Sequence, residues 1–159
     1  MKLVFSYLII FSTFFASAQE NKPSSYNVLL LETGINHRGA FGLSYQRVIP
    51  ANERFDIGLG AGVGGNLDWY WFSASVYPQA YFDFSVAYGL SSMKVELGIE
   101  PRVLFTGSKL FALTPHLGLK YQGSKKVIYK LKTNVNFFPQ CDPGDRLEPG
   151  IGVSIGYPF

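Results

Sequence analysis

Apolar and polar positions along this chain alternate with period two rather than with helical spacing, and the alternation is cleanest over Phe55 to Gly64. There Phe55, Ile57, Leu59, Ala61 and Val63 share one parity, and Asp56, Gly58, Gly60, Gly62 and Gly64 the other. The C-terminus repeats the pattern, with Ile151, Val153, Ile155, Tyr157 and Phe159 set against Gly150, Gly152, Ser154, Gly156 and Pro158. So much glycine disfavours helix. The same rule predicts eight strands: Tyr26 to Ile35, Ala40 to Ile49, Arg54 to Gly65, Val76 to Tyr88, Lys94 to Phe105, Phe111 to Tyr121, Val127 to Phe138 and Gly150 to Phe159. Their lengths are close to the roughly nine to eleven residues of a tilted membrane strand.

Alternation fits both a soluble barrel that is greasy within and a membrane barrel that is greasy outside, so the composition of the polar face decides. That face carries Gly42, Ser44, Gly58, Gly60, Gly62, Ser85, Ala87, Gly98, Gly118, Gly152, Ser154 and Gly156. A face meeting water would be richer in Lys, Glu and Thr, whereas small side chains suit a crowded eight-stranded lumen. The opposite face carries Phe41, Leu43, Tyr45, Phe82, Phe84, Leu97, Ile99, Leu117, Leu119, Leu131, Val135 and Ile155, which suit lipid. The expected fold is an all-β, eight-stranded antiparallel transmembrane barrel. An even strand number returns both termini to one side and turns the first, third, fifth and seventh connections outward. Asn66 to Ser75 and Pro139 to Pro149 are then the long outer loops. Pro101 and Pro115 fall inside predicted strands, where each is expected to mark a bulge, an end or a misplaced strand boundary. A fifth strand ending at Pro101 would leave six strands and an irregular plug.

The first 18 residues read differently from the rest. Lys2 precedes an apolar run from Leu3 to Phe15, and Ala16-Ser17-Ala18 offers the small residues of a signal-peptidase site. The run is shorter than the roughly 20 residues of a spanning helix, so residues 1–18 are expected to be a cleaved signal peptide and 19–159 the barrel domain. An exported, strand-only chain with a greasy exterior implies the bacterial outer membrane, with outer-membrane lipid as its surroundings. Of the 159 residues, 16% are charged, and 14 Phe, 10 Tyr and 2 Trp make the chain aromatic-rich. A scattered net charge of +3 is no nucleic-acid footprint, and a single cysteine excludes an intrachain disulfide framework.

The lumen face gathers Glu32, Asp56, Asp83, Glu96 and Glu100 from early strands and Arg102, His116, Lys120, Lys130 and Lys132 from later ones. Unpaired buried charges are costly, so these residues are expected to form an internal salt-bridge network that plugs the lumen. A conducting, charge-lined pore is the alternative. His116 has no His-x-His, Glu-x-x-His or cysteine partner at ligand spacing, so no metal, cofactor or acid–base site is expected. Ser73, Ser75, His37 and Asp68 lie in outer connections at spacings that match no triad. Trp69, Tyr70, Trp71 and Phe72 form the densest aromatic stretch, expected as an interfacial belt or a recognition surface for a surface ligand. Gln140 to Asp145 has turn chemistry without the spacing of a calcium loop.

Leu31-Glu32-Thr33-Gly34 followed by Gly42-Leu43-Ser44-Tyr45-Gln46-Arg47, then Leu117 to Gln122, and the closing Gly152 to Phe159 resemble small outer-membrane β-barrel proteins of Bacteroidetes-type bacteria. The resemblance spans most of the mature chain and includes no catalytic motif. It implies an integral barrel folded by the outer-membrane assembly machinery, for which the terminal aromatics Tyr157 and Phe159 serve as the signal. The expected role is structural or envelope-interacting, without catalysis. A narrow porin-like channel for small solutes and a lipid-modifying outer-membrane enzyme are the alternatives.

Overall fold

The computed structural model describes residues 24–35, 39–70, 73–90, 92–105, 110–123, 127–142, 144 and 146–159. Its elements are strands β1 (Tyr26–Ile35), β2 (Gly39–Pro50), β3 (Phe55–Tyr70), β4 (Ser73–Gly89), β5 (Met93–Leu104), β6 (Phe111–Gln122), β7 (Ile128–Phe137) and β8 (Leu147–Pro158). They pair antiparallel in chain order, and β1 closes the ring against β8 from Val28↔Pro158 to Ile35↔Ile151. Closure satisfies every strand edge, the condition for spanning a membrane with sheet. At the end of the barrel that carries both termini, Asn27 and Phe159 exchange two backbone hydrogen bonds, of 2.9 and 3.2 Å.

The two parities face as the small polar residues dictate. Leu31, Leu43, Val63, Phe82, Leu97, Leu117, Leu131 and Val153 are exposed, while their neighbours in sequence turn inward. A girdle of large apolar side chains around a polar interior is the inverse of a soluble barrel and belongs in a bilayer. Inside, two small apolar clusters stand at opposite ends of the lumen. Val28, Leu30, Val48 and Ile128 pack together near the termini, and Leu104, Ala112 and Phe138 pack near the other end.

Three features depart from expectation. Asn66 to Ser75 is not a long loop: β3 and β4 stay paired to Tyr70↔Ser73, because the segment lacks proline and glycine, and its aromatic residues favour extended backbone. Trp69 and Tyr70 thus end β3, and Trp71 and Phe72 lie outside the described residues, as does the expected signal peptide. The last hairpin is also shorter than expected, with β8 beginning at Leu147. Finally, neither Pro101 nor Pro115 ends its strand. The β5–β6 ladder runs unbroken through Pro101↔Leu113 and Ile99↔Pro115. The missing N–H groups register on the other sides. The β4–β5 ladder is interrupted between Tyr81↔Arg102 and Phe84↔Ile99, and the β6–β7 ladder between Leu113↔Phe137 and His116↔Asn134.

Leu43 sits near the middle of β2, and its side chain is exposed on the apolar girdle. Leu43→Arg is expected to cost about 2–4 kcal/mol in a reversible refolding assay in lipid, as for a cation near the bilayer midplane. A loss below roughly 0.5 kcal/mol would put Leu43 outside the hydrocarbon zone.

Candidate functional site

Because the inward parity bears charges on β1 and on β3 to β8, with Glu148 the buried charge of β8, ring closure brings most of them together across the lumen. The result is three tiers. Nearest the termini, Asp56 on β3 accepts from Lys94 on β5 at 2.7 Å and from Lys120 on β6 at 3.2 Å. Lys120 also donates to the Tyr26 hydroxyl at 3.2 Å. In the middle, Lys130 on β7 donates to both carboxylate oxygens of Glu96 on β5 at 2.9 Å and to the Gln46 side-chain carbonyl at 3.0 Å. The Gln46 amide in turn donates to Asp83 on β4 at 2.7 Å and to Ser85 at 3.1 Å.

In the third tier Lys132 on β7 bridges Glu32 on β1 at 2.9 Å and Glu100 on β5 at 2.6 Å. Arg102 holds the second oxygen of Glu100 and lies over the Tyr81 ring, 5.2 Å from its centroid. Glu32 also accepts from Ser44 and, at 3.1 Å, from the Tyr81 hydroxyl. Most of these bonds join strands that are not neighbours in the ring: β1 to β7, β2 to β4 and β7, β3 to β5 and β6, and β5 to β7. They act as cross-braces. Most of these charges are held by two or more partners, which offsets their desolvation.

Glycine makes the room. A Cβ at Gly62 would come within 2.6 Å of the Tyr81 hydroxyl oxygen and 2.8 Å of the Ser44 Cβ, so this position must stay bare for Tyr81 to point inward. At Gly98 a Cβ would overlap the imidazole of His116, its partner across the β5–β6 ladder. His116 therefore lies across β5. Its Nε2 is 3.7 Å from Glu96 Oε1 and 3.9 Å from Asp83 Oδ1, and its Nδ1 is 3.6 Å from Glu100 Oε1.

All ten residues expected in the lumen face it, with Glu32 and Lys132 less deeply buried than the rest. Lys94, Gln46, Gln79 and Tyr81 join them, although the sequence reading passed over them. Lys94 shares the parity of Glu96, and Gln46 that of Ser44, so strict alternation contained the signal. Tyr157 and Phe159 are exposed at the end of β8. The space left is small. A cavity of about 40 Å³ lies at the end away from the termini, lined in part by Glu32, Tyr81, Arg102 and Lys132, with room for a few water molecules. Another, of about 10 Å³, lies beside Asp56, Lys94 and Lys120 at the opposite end. The middle tier separates them.

No protein-family model matches the chain, and no curated protein matches it in sequence. Solved structures do match in shape. The N-terminal β-barrel domain of OprF from Pseudomonas aeruginosa gives a TM-score of 0.59 at 13% identity, over 87% of this chain and 100% of that one. Neisserial surface protein A (NspA) gives 0.51 at 12% identity, over 88% and 100%. The closed eight-stranded ring, apolar girdle and polar filled interior make this chain an integral β-barrel of the outer-membrane type.

Lys130→Glu places a fourth carboxylate among Glu96, Asp83 and Glu100 and is expected to destabilise the folded barrel by at least about 3–5 kcal/mol, the cost of breaking a buried pair. Replacing Lys130 and Glu96 together by methionine is expected to recover most of that loss, because no buried charge is then stranded. Both effects are read from urea midpoints in refolding. Equal loss in the single and double variants would mean that the bonds are not coupled.

Proposed function

We propose that this chain is a structural or envelope-interacting barrel of the outer membrane, without catalysis, whose lumen is braced shut by its own charges. The carrying observation is the middle tier, in which Lys130, Glu96, Gln46 and Asp83 join β2, β4, β5 and β7 through one connected set of bonds. The tier stands between the two small cavities, so a solute crossing the lumen would have to break the Lys130–Glu96 ion pair and the Gln46 hydrogen bonds joined to it. Its residue motifs fit the small barrels of Bacteroidetes-type bacteria, and the exposed terminal Phe159 fits a signal read by the outer-membrane assembly machinery. The aromatic-rich β3–β4 hairpin reaches beyond Gly39↔Leu67, the last pair between β3 and β2, and is the element best placed to meet a surface partner.

A lipid-acting enzyme would need a nucleophile aligned with a histidine. His116 lies 3.6 to 3.9 Å from three carboxylates, and Ser85 is engaged by Gln46. Purified folded protein in a planar bilayer is expected to show no discrete current steps, and reproducible steps would make the same charges a selectivity lining. Deletion and complementation are expected to leave the lipid A and phospholipid profiles unchanged, and a changed profile restored by the gene would establish the enzyme reading instead.

A further inference from the structure

Among the described residues, Asp83 is the network carboxylate that lacks a lysine or arginine. Glu32, Asp56, Glu96 and Glu100 each have one within 3.2 Å, whereas Asp83 has none within 4.0 Å among the described residues and faces the His116 imidazole, 3.9 Å away. Two atoms of the pair are buried and without a hydrogen-bond partner: Asp83 Oδ1, which faces the imidazole Nε2, and His116 Nδ1, which faces Glu100. Both residues are at least nine-tenths buried. One donor atom from each of Asp83, Glu100 and His116 falls within a set spanning no more than 4.8 Å. The separations of 3.6 and 3.9 Å from His116 to Glu100 and Asp83 are too long for hydrogen bonds. They run from the two different ring nitrogens, Nδ1 to Glu100 and Nε2 to Asp83, so a shared ion would take one nitrogen together with the two acids; the spacing between two donors on a tetrahedral ion at roughly 2.1 Å from each is about 3.4 Å.

We propose that Asp83, Glu100 and His116 form a binding site for one divalent transition-metal ion of the zinc class. One imidazole with two carboxylates is a donor set for such an ion. The nearby cations are already engaged elsewhere, Lys130 with Glu96 and Gln46, and Lys132 with Glu32 and Glu100. An ion would supply the positive charge that Asp83 lacks. Gly98 provides the space in which the ring turns toward the acids, and the cavity of about 40 Å³ ends at Arg102 and Lys132, both bonded to Glu100, which gives an approach from the solvent. The donors come from β4, β5 and β6, so no linear spacing announces them. The site is a property of the plug and does not depend on whether the barrel conducts.

The test uses the full protein purified in detergent, loaded with Zn²⁺, desalted and assayed for retained metal, with Co²⁺ as the spectroscopic probe. His37 is the other histidine of the chain, so His37→Ala serves as the control for adventitious binding. Wild type and His37→Ala are expected to retain one equivalent of zinc, and to show a visible cobalt band. Asp83→Asn and His116→Gln are each expected to weaken binding by more than about tenfold, the lower end of what even outer-shell changes cost. Folding of each variant is followed by heat-modifiable gel migration. Should those two variants fail to fold, imidazole NMR signals in His37→Ala decide the matter, since His116 is then the only histidine. Movement of those signals with one equivalent of zinc upholds the site. Failure of wild type to retain zinc, loss of binding in His37→Ala, full binding in folded Asp83→Asn and His116→Gln, or unmoved imidazole signals would each overturn it.

Discussion

Once β1 pairs with β8, the polar parity of every strand has nowhere to go but the interior, and each charge there must find its counter-charge across the lumen. The rest of the structure follows from that enclosure. It explains why the bonds link non-adjacent strands, why lysines with long reach predominate on β6 and β7, and why Gln46 and Tyr81 donate to carboxylate oxygens that the lysines leave free. An open sheet would let the same residues remain hydrated, with no reason to assemble.

Enclosure also sets the size rule. Eight strands leave a bore that side chains can fill, and long charged groups fit only where a facing position gives way. Gly62 gives way to Tyr81, and Gly98 to His116. The glycine-rich parity is therefore the complement of the charged one, and together they behave as a single packed core built from polar groups. The apolar exterior contributes little to specificity, since lipid accepts any of its side chains, whereas a change of one lumen residue reaches partners on several strands.

Much of this was legible in the sequence because period two is strict. A residue's parity fixes its face, so β1 is read to the residue, and the lumen positions of Glu32, Asp56 and Lys130 follow from their neighbours. Parity does not determine azimuth or reach. That Lys132 would span to both Glu32 and Glu100, or that Asp83 would be left beside His116, depends on strand stagger, which emerges only on closure. The β3–β4 hairpin was misread for a different reason. Its polar Asn66 and Asp68 resemble loop residues, yet no proline or glycine within 66–75 stops the ladder. The prolines posed the opposite problem, since each looks like a breaker and each is absorbed on one side only.

The two interrupted ladders flank the same hairpin. Pro101 opens the β4 side of β5 and Pro115 the β7 side of β6, and both gaps fall at the height of the Glu100↔Thr114 pair. At that level the β5–β6 hairpin is joined to the wall chiefly by side chains, among them the bond of 2.8 Å from Thr114 to Asn136. The barrel thus has two perforated seams running beside one panel. The ionic braces that cross the lumen from β5 to β3 and β7 do for this panel what the missing ladder bonds cannot, and tie it to the far wall.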